Sequence, residues 1–335
     1  MRSLTFFIPG LFGSGNAYPD DFPNAPGLHW FVNKGRYQAV KRNSFSHSLC
    51  ELFGLSGNDD HDQPIAAITR LVDSNQYPDG IWLRVDPVHV NADGNRLKLT
   101  DSSQFTLTQH DALAFAAEIN SLLKPYNLEL EVPCSTRWYL KFNDDYHLKT
   151  KPIDSVIGQN ILPFMPSGDD KINFVQLMND IQMILHDFPI NTNREEEKKL
   201  PINSVWLWGY GKLPDILDRN WSFVFGDEIL AEGLSMLSAT PFSKLPQKLD
   251  DIHSKQSNYI NLIVISDFDK FRYYYEFDEW VEILMNYEIN WFTPLYEAIK
   301  RKDLDEVRIE TDINSITINK NTKYNFWKRK KRFIT

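Results

Sequence analysis

The sequence predicts an α/β protein: an α/β/α sandwich around a mainly parallel sheet, built from residues 1–79 and 151–335, with a β-rich α+β unit inserted at 80–150. Three observations predict it. Outside the insert, short apolar runs alternate with amphipathic segments, as strands joined by crossover helices do. Within 80–150 the runs alternate residue by residue and are separated by turn clusters, which reads as hairpins. Tyr259–Ser266, YINLIVIS, is apolar along most of its length and reads as a strand buried on both faces.

Composition bounds the rest. The 335 residues are 42% hydrophobic and 13% aromatic, enough for one large core or two ordinary ones. A net charge of −9 argues against a general binder of nucleic acid or anionic membranes. Cys50 and Cys134 stand apart, with no metal-ligand spacing, and fit a reducing cytosol. No apolar run approaches the ~20 residues that span a bilayer. A soluble, cytoplasmic protein is expected.

Taken in order, Leu4–Ile8 is the first strand, and Pro9-Gly10 opens a glycine-rich turn that has no Walker lysine. A short helix follows around His29–Val32. Ser44, Ser46 and Ser48 precede the apolar Leu49–Phe53 and read as helix N-caps, or as hydroxyls offered at a helix N-terminus that favours phosphate. Pro64–Asp73 is a helix; Ile81–Val90 is a strand with Pro87 inside it; Asn91–Gly94 is its turn and Leu97–Leu99 the return. Thr108 and Asp111 form a capping pair for a helix through Leu123, and 128–132 pairs with 137–142. Ile172–His186 carries a helical apolar stripe, and Glu195–Lys199 reads as a solvated loop. A strand at 221–226, a helix at 228–237, a helix from 276 that Pro294 interrupts, and a hairpin at 308–318 complete the chain.

Candidate chemistry centres on the stretch His186–Lys212. Its strand Val205–Trp208 delivers Gly209 and Gly211 either as a flexible loop at a sheet edge, where α/β proteins bind ligands, or as a tight turn beside a core strand. Arg84 and Asp86 share one face of their strand and can hold an anion or pair with each other, while His89 faces the opposite side. Asp267 and Asp269 follow the most apolar strand, where a divalent cation would accept them, but no histidine follows position 253. The tail Lys328–Arg332 is the one concentrated basic run; it reads as a solvated terminus, with an anionic partner as the alternative.

Several of these segments resemble the archaeal-type, cofactor-independent phosphoglycerate mutases of the alkaline phosphatase superfamily. The resemblance lies in Gly80–Asp86, Leu97–Leu123, Ser135–Leu140 and above all Pro201–Pro214, with Asn203, Trp206, Trp208, Gly209 and Gly211 in the pattern Asn-x-x-Trp-x-Trp-Gly-x-Gly. The chain is also similar to bacterial regulatory proteins of the RpfE type, through Trp82–His89, Arg137–Leu140, Asn179–Met183, Asn203–Gly209 and Phe326–Arg329. The resemblance implies an alkaline-phosphatase-like fold. It also implies a metal-binding acid after the first strand, a nucleophilic serine near Ser44, Ser46 or Ser48, and a late Asp/His metal cluster.

The chain departs from that pattern, with Ile8-Pro9-Gly10 after the first strand and no late histidines. The expectation is a degenerate relative with no metal and no cofactor, regulatory in role, that binds a small phosphorylated ligand or a protein partner. An active phosphomutase or phosphatase with a rearranged site is the alternative. Arg84, Arg194 and Asn203 beside Gly209 and Gly211 are the expected anion cleft. No membrane partner is expected, nor nucleic acid apart from the basic tail.

Overall fold

The computed structural model describes residues 1–13, 23–42, 44–57, 63–144, 146, 148–168, 173–252, 258–274 and 276–320. The basic tail therefore lies outside the described residues. The chain forms two compact units, Met1–Phe45 with Ile216–Thr335, and Ser46–Asp215.

The first unit begins with β1 (Arg2–Phe7), α1 (Pro26–Lys34) and β2 (Arg36–Ala39). The second holds α2 (Phe45–Leu52, entering at Ser46), α3 (Ile65–Ser74), β3 (Ile81–Asp93), β4 (Arg96–Thr100), α4 (Gln109–Leu123), β5 (Leu130–Cys134), β6 (Arg137–Phe142), α5 (Phe174–His186), α6 (Pro189–Glu196) and β7 (Ser204–Lys212). The chain then returns to the first unit through β8 (Phe223–Phe225), α7 (Ile229–Leu237), β9 (Phe242–Ser243), β10 (Tyr259–Val264), α8 (Phe277–Tyr287), α9 (Thr293–Arg301), β11 (Glu306–Glu310) and β12 (Asn314–Asn319).

The first unit is the α/β one. Its seven-stranded sheet runs β2-β12-β11-β1-β10-β8-β9; β1 lies parallel to β10 and β11, whereas β12 and β2 are antiparallel additions. One face carries Leu4, Phe6, Ile263, Val307, Ile309, Ile316 and Ile318 into a single apolar core with α1, α8 and α9. Trp280 and Trp291 of that helical layer are fully buried, and each such aromatic contributes about 150–250 Å² of buried area. Pro294 does not break the helix. A π-helical turn at Glu288–Phe292 joins α8 to α9 without a gap, and the proline follows just after it, where the widened turn already interrupts the i→i−4 ladder that its missing N–H would break. The Glu288 carboxylate, buried in that turn, accepts the N–H groups of Gly27 and Leu28 at 2.6 and 3.0 Å, so it caps the otherwise uncapped N-terminus of α1.

The second unit is antiparallel, with β3 at its centre: β4 pairs with its end, β6 flanks one side and β7 the other. The expected boundaries at 79/80 and 150/151 enclose only part of it. The difference comes from β7, which pairs with β3 from Ile81 to Val88 and so draws the segment between them into the same unit. The hairpin turn also falls later than Asn91–Gly94, because β3 continues to Asp93 and its return begins at Arg96.

Two further expectations change. Residues 195–199 were expected as a solvated loop; all five are exposed and 197–199 are not helical, but Glu195 and Glu196 end an unexpected helix, α6, which Pro189 starts and whose buried side chains, Asn191 and Arg194, are polar. A helix whose buried residues are polar carries no apolar period to read. Gly209 and Gly211 are neither loop nor turn, because β7 continues to Lys212. A side chain at Gly209, where φ is +68°, would meet Ala66 N and Ile65 Cβ at 3.1 Å. The glycines let the start of α3 lie directly on the strand.

Candidate functional site

Two polar constellations stand out, one in each unit. In the second unit, β3 carries both Arg84 and Asp86 inward, 5% exposed each, beside β7. Arg84 Nε and Nη2 donate to the two Asp86 oxygens at 2.8 and 2.7 Å, and Trp208 Nε1 donates to Asp86 Oδ2 at 2.8 Å. The guanidinium lies between the rings of Tyr139 and Trp208, 5.4 and 5.0 Å from their centroids. Arg84 Nη1 reaches Thr69 Oγ1, which Tyr139 Oη also contacts; that phenol donates in turn to Asp73, and Arg137 grips Asp73 bidentately. Burial works against the Arg84 charge, but Asp86 and Tyr139 together outweigh it and the net shift is upward. Burial likewise pushes the Asp86 carboxyl up, opposed by Arg84 and Trp208. Three donors converging on its two oxygens fit an ionised carboxylate, so the pair is a charged one.

This answers the choice that the sequence left open: Arg84 pairs with its own strand neighbour. It stands opposite Trp208 and thus beside Gly209. The other expected cleft residues are committed elsewhere. Asn203 accepts Val90 N–H and donates to Val90 O, fastening β7 to β3 beyond their ladder. Arg194 donates to Leu200 O and Thr106 O, with burial lowering its pKa against Asp111 and Glu197; its Nη2 is buried with no partner among the described residues. His89 Nδ1 meets Pro201 O, away from the Arg84 pair.

Also in the second unit, Ser46 sits in the first turn of α2, and both its N–H and its hydroxyl donate to Asp154 Oδ2, at 2.7 and 2.6 Å. A buried carboxylate thus caps that helix end, with the helix dipole favouring its charge. Asp154 is 108 positions from Ser46 and escapes a reading of local sequence. Beside it, burial lowers the pKa of His47, outweighing the opposing pull of Asp154. The folded protein therefore binds fewer protons than the unfolded chain as pH falls through about 6.5, His47's ordinary value, towards its lowered one. Stability should fall across that window, by up to about 1.4 kcal/mol per pH unit from this site. Urea midpoints of wild type and His47→Gln at a series of pH values check it; parallel curves would remove His47 as the cause.

In the first unit, the carboxyl ends of the parallel strands bring together Gly10 after β1, Asp267 and Asp269 after β10, and Asp312 after β11, the edge where α/β folds bind ligands. Gly10 N–H donates to Asp312 Oδ1 at 3.0 Å. Arg272 Nη1 meets Asp269 Oδ1 at 2.8 Å. Burial opposes the Arg272 charge, and Tyr273, Asp269 and Asp312 overcome it to raise its pKa. Arg42 donates to Glu310 at 2.8 Å and to Thr311 O. Tyr287 Oη donates to Asp267 Oδ2 at 2.8 Å, and burial, then Asp267 and Asp227, push that phenol up.

These donors do not fit the metal site that the resemblance implies. A two-metal centre needs several carboxylate and imidazole ligands converging with free lone pairs. Here Asp269 and Glu310 face guanidinium groups, and among the described residues no three His, Cys, Asp or Glu side chains are grouped to hold a metal ion.

No protein-family model matches the chain. Over 63 residues, 19% of the chain, it is 43% identical to a probable 2,3-bisphosphoglycerate-independent phosphoglycerate mutase of Geobacter sulfurreducens, covering 16% of that protein. Over 119 residues, 35% of the chain, it is 27% identical to the corresponding mutase of Methanosarcina barkeri, covering 30% of it. The chain thus aligns with about a sixth to a third of the length of these curated relatives. A solved protein from Pyrococcus horikoshii shares its fold at a TM-score of 0.51 and 10% identity, covering 98% of this chain and 90% of that one. The class these findings define is a mixed α/β protein, consistent with the alkaline-phosphatase-like fold. Over part of its length it is similar in sequence to cofactor-independent phosphoglycerate mutases. Among the described residues no helix is long and apolar enough to cross a membrane.

Proposed function

We propose that the chain is a degenerate relative of the cofactor-independent phosphoglycerate mutases, working in the cytoplasm through binding rather than turnover. This is the regulatory role that its resemblance to the RpfE-type proteins implies. The observation that carries the reading is the strand-end edge of the first unit. Arg272 and Arg42 stand against Asp269 and Glu310, so fixed side-chain cations balance the carboxylates that a phosphotransferase would turn to metal. A guanidinium neutralises charge but cannot activate a serine or a water as a divalent cation does. The occupant bound would be a small phosphorylated molecule or a protein partner.

The second reading, an active phosphomutase or phosphatase with a rearranged site, draws on Ser46, whose hydroxyl is held by a carboxylate at a helix N-terminus. One experiment separates them: purified protein is given 3-phosphoglycerate and a phosphatase substrate, with and without added manganese or zinc. The expected result is no turnover above background and no stoichiometric metal. Metal-dependent turnover that Ser46→Ala abolishes would replace the proposal with the second reading.

A further inference from the structure

The outer part of the first unit's sheet has two unlike faces. On β11 and β12, Val307, Ile309, Ile316 and Ile318 point into the core, so the alternate residues point the other way. That second face is wholly polar, and the register makes it a ladder. One rung across the three strands is Arg308–Thr317–Arg36, and the next is Glu310–Ser315–Gln38. The rungs line a cavity of about 810 Å³.

The charges along the ladder are unevenly satisfied. Glu310 is matched, taking a hydrogen bond from Arg42 at 2.8 Å and one from Ser315 Oγ at 2.9 Å. Arg308 is loosely held: its contacts to Glu306 and Glu310 are 3.6 and 3.9 Å, and its side chain is 46% exposed. Arg36 has no ion pair among the described residues and is exposed. Two guanidinium groups therefore share a rung with one hydroxyl between them.

We propose that this face is a binding site for a small phosphate-bearing ligand, held between Arg36 and Arg308 over Thr317. Neighbouring strands lie ~4.8 Å apart, so the two arginines stem from backbones ~10 Å apart and their side chains can close on one phosphate. A phosphate group presents three acceptor oxygens, matching two guanidinium forks and the Thr317 hydroxyl. Gln38 and Ser315 on the next rung supply polar partners for whatever carries the phosphate. Charged residues on an outer strand also discourage edge pairing, but that task needs no second arginine across Thr317. The Arg42–Glu310 pair lines the same cavity, so the site adjoins the strand-end edge, but Arg36 and Arg308 are not members of the pairs on which the reading above rests, and their variants test this site alone.

Calorimetric titration of the full chain with inorganic phosphate and with 3-phosphoglycerate tests it, on wild type, Arg308→Gln and Arg36→Gln. Both positions are exposed, and unchanged melting of the variants confirms that they fold. The expected result is saturable binding in wild type that weakens on the order of tenfold or more in each variant. Binding of the ester should also strengthen as its phosphate gains its second charge near pH ~6. Tighter binding of the ester than of free phosphate would support an organic phosphate as ligand, and equal binding would support phosphate itself. No binding in wild type, or equal affinity in all three proteins, overturns the proposal.

Discussion

Replacing Arg84 with alanine is expected to destabilise the protein by about 3–5 kcal/mol, the usual cost of stripping one partner from a buried ion pair. The size follows from what stays behind. Asp86 is almost wholly buried and would keep only the Trp208 N–H of its three present donors. The space between the Tyr139 and Trp208 rings would empty as well. The double variant Arg84→Met, Asp86→Asn should recover most of the loss, because methionine refills that space and the asparagine oxygen still accepts from Trp208. Urea unfolding followed by tryptophan fluorescence measures both. A cost below about 1 kcal/mol for Arg84→Ala would show that the pair is not holding a desolvated charge.

Gly10→Ala should cost about 2–5 kcal/mol, combining left-handed backbone strain with overpacking against a neighbour that cannot move aside. Gly10 has φ of +73°, and an added Cβ would lie 2.1 Å from the Phe268 carbonyl oxygen and 3.2 Å from Arg272 Cγ. The end of β1 packs directly on the turn after β10, and a methyl group would push apart the two segments that place Asp312 and Arg272. Gly94→Ala is the control: φ there is +59°, but nothing lies within 4 Å of the added atom. It should show the strain alone, about 1–2 kcal/mol. Equal melting shifts for the two variants would mean that the close approach at Gly10 is not costly.

What could be read in the sequence was what local spacing determines. The strand at Tyr259, the stripe of α5 and the Thr108–Asp111 cap each depend on residues within one element, and the structure has all three. Arg84 and Asp86, two apart on one strand, were legible as a pair for the same reason. What escaped depends on partners far along the chain. Asn191 and Arg194 are buried in α6 by bonds to 185, 200, 202 and 106, so their helix looks like a solvated loop. Gly209 and Gly211 carry the same letters in a turn as in a strand, and only the arrival of α3 decides between them. Arg42 meets Glu310 across 268 positions, and no spacing rule connects them.

The order in which the chain is synthesised treats the two units very differently. Residues 46–215 are continuous, so the antiparallel unit has all its strands as soon as Lys212 has left the ribosome. The sheet around β1 must wait. Its neighbours begin at Tyr259 and Glu306, and among the described residues β2 is joined to that sheet only through β12, which ends at Asn319. Until those segments are made, β1 has both hydrogen-bonding edges vacant, the condition in which strands aggregate or pair with the wrong partner. Residues 46–215 lie between β1 and both of its neighbours in the chain, so chaperone capture of nascent chains should centre on β1 until β10 and β11 emerge.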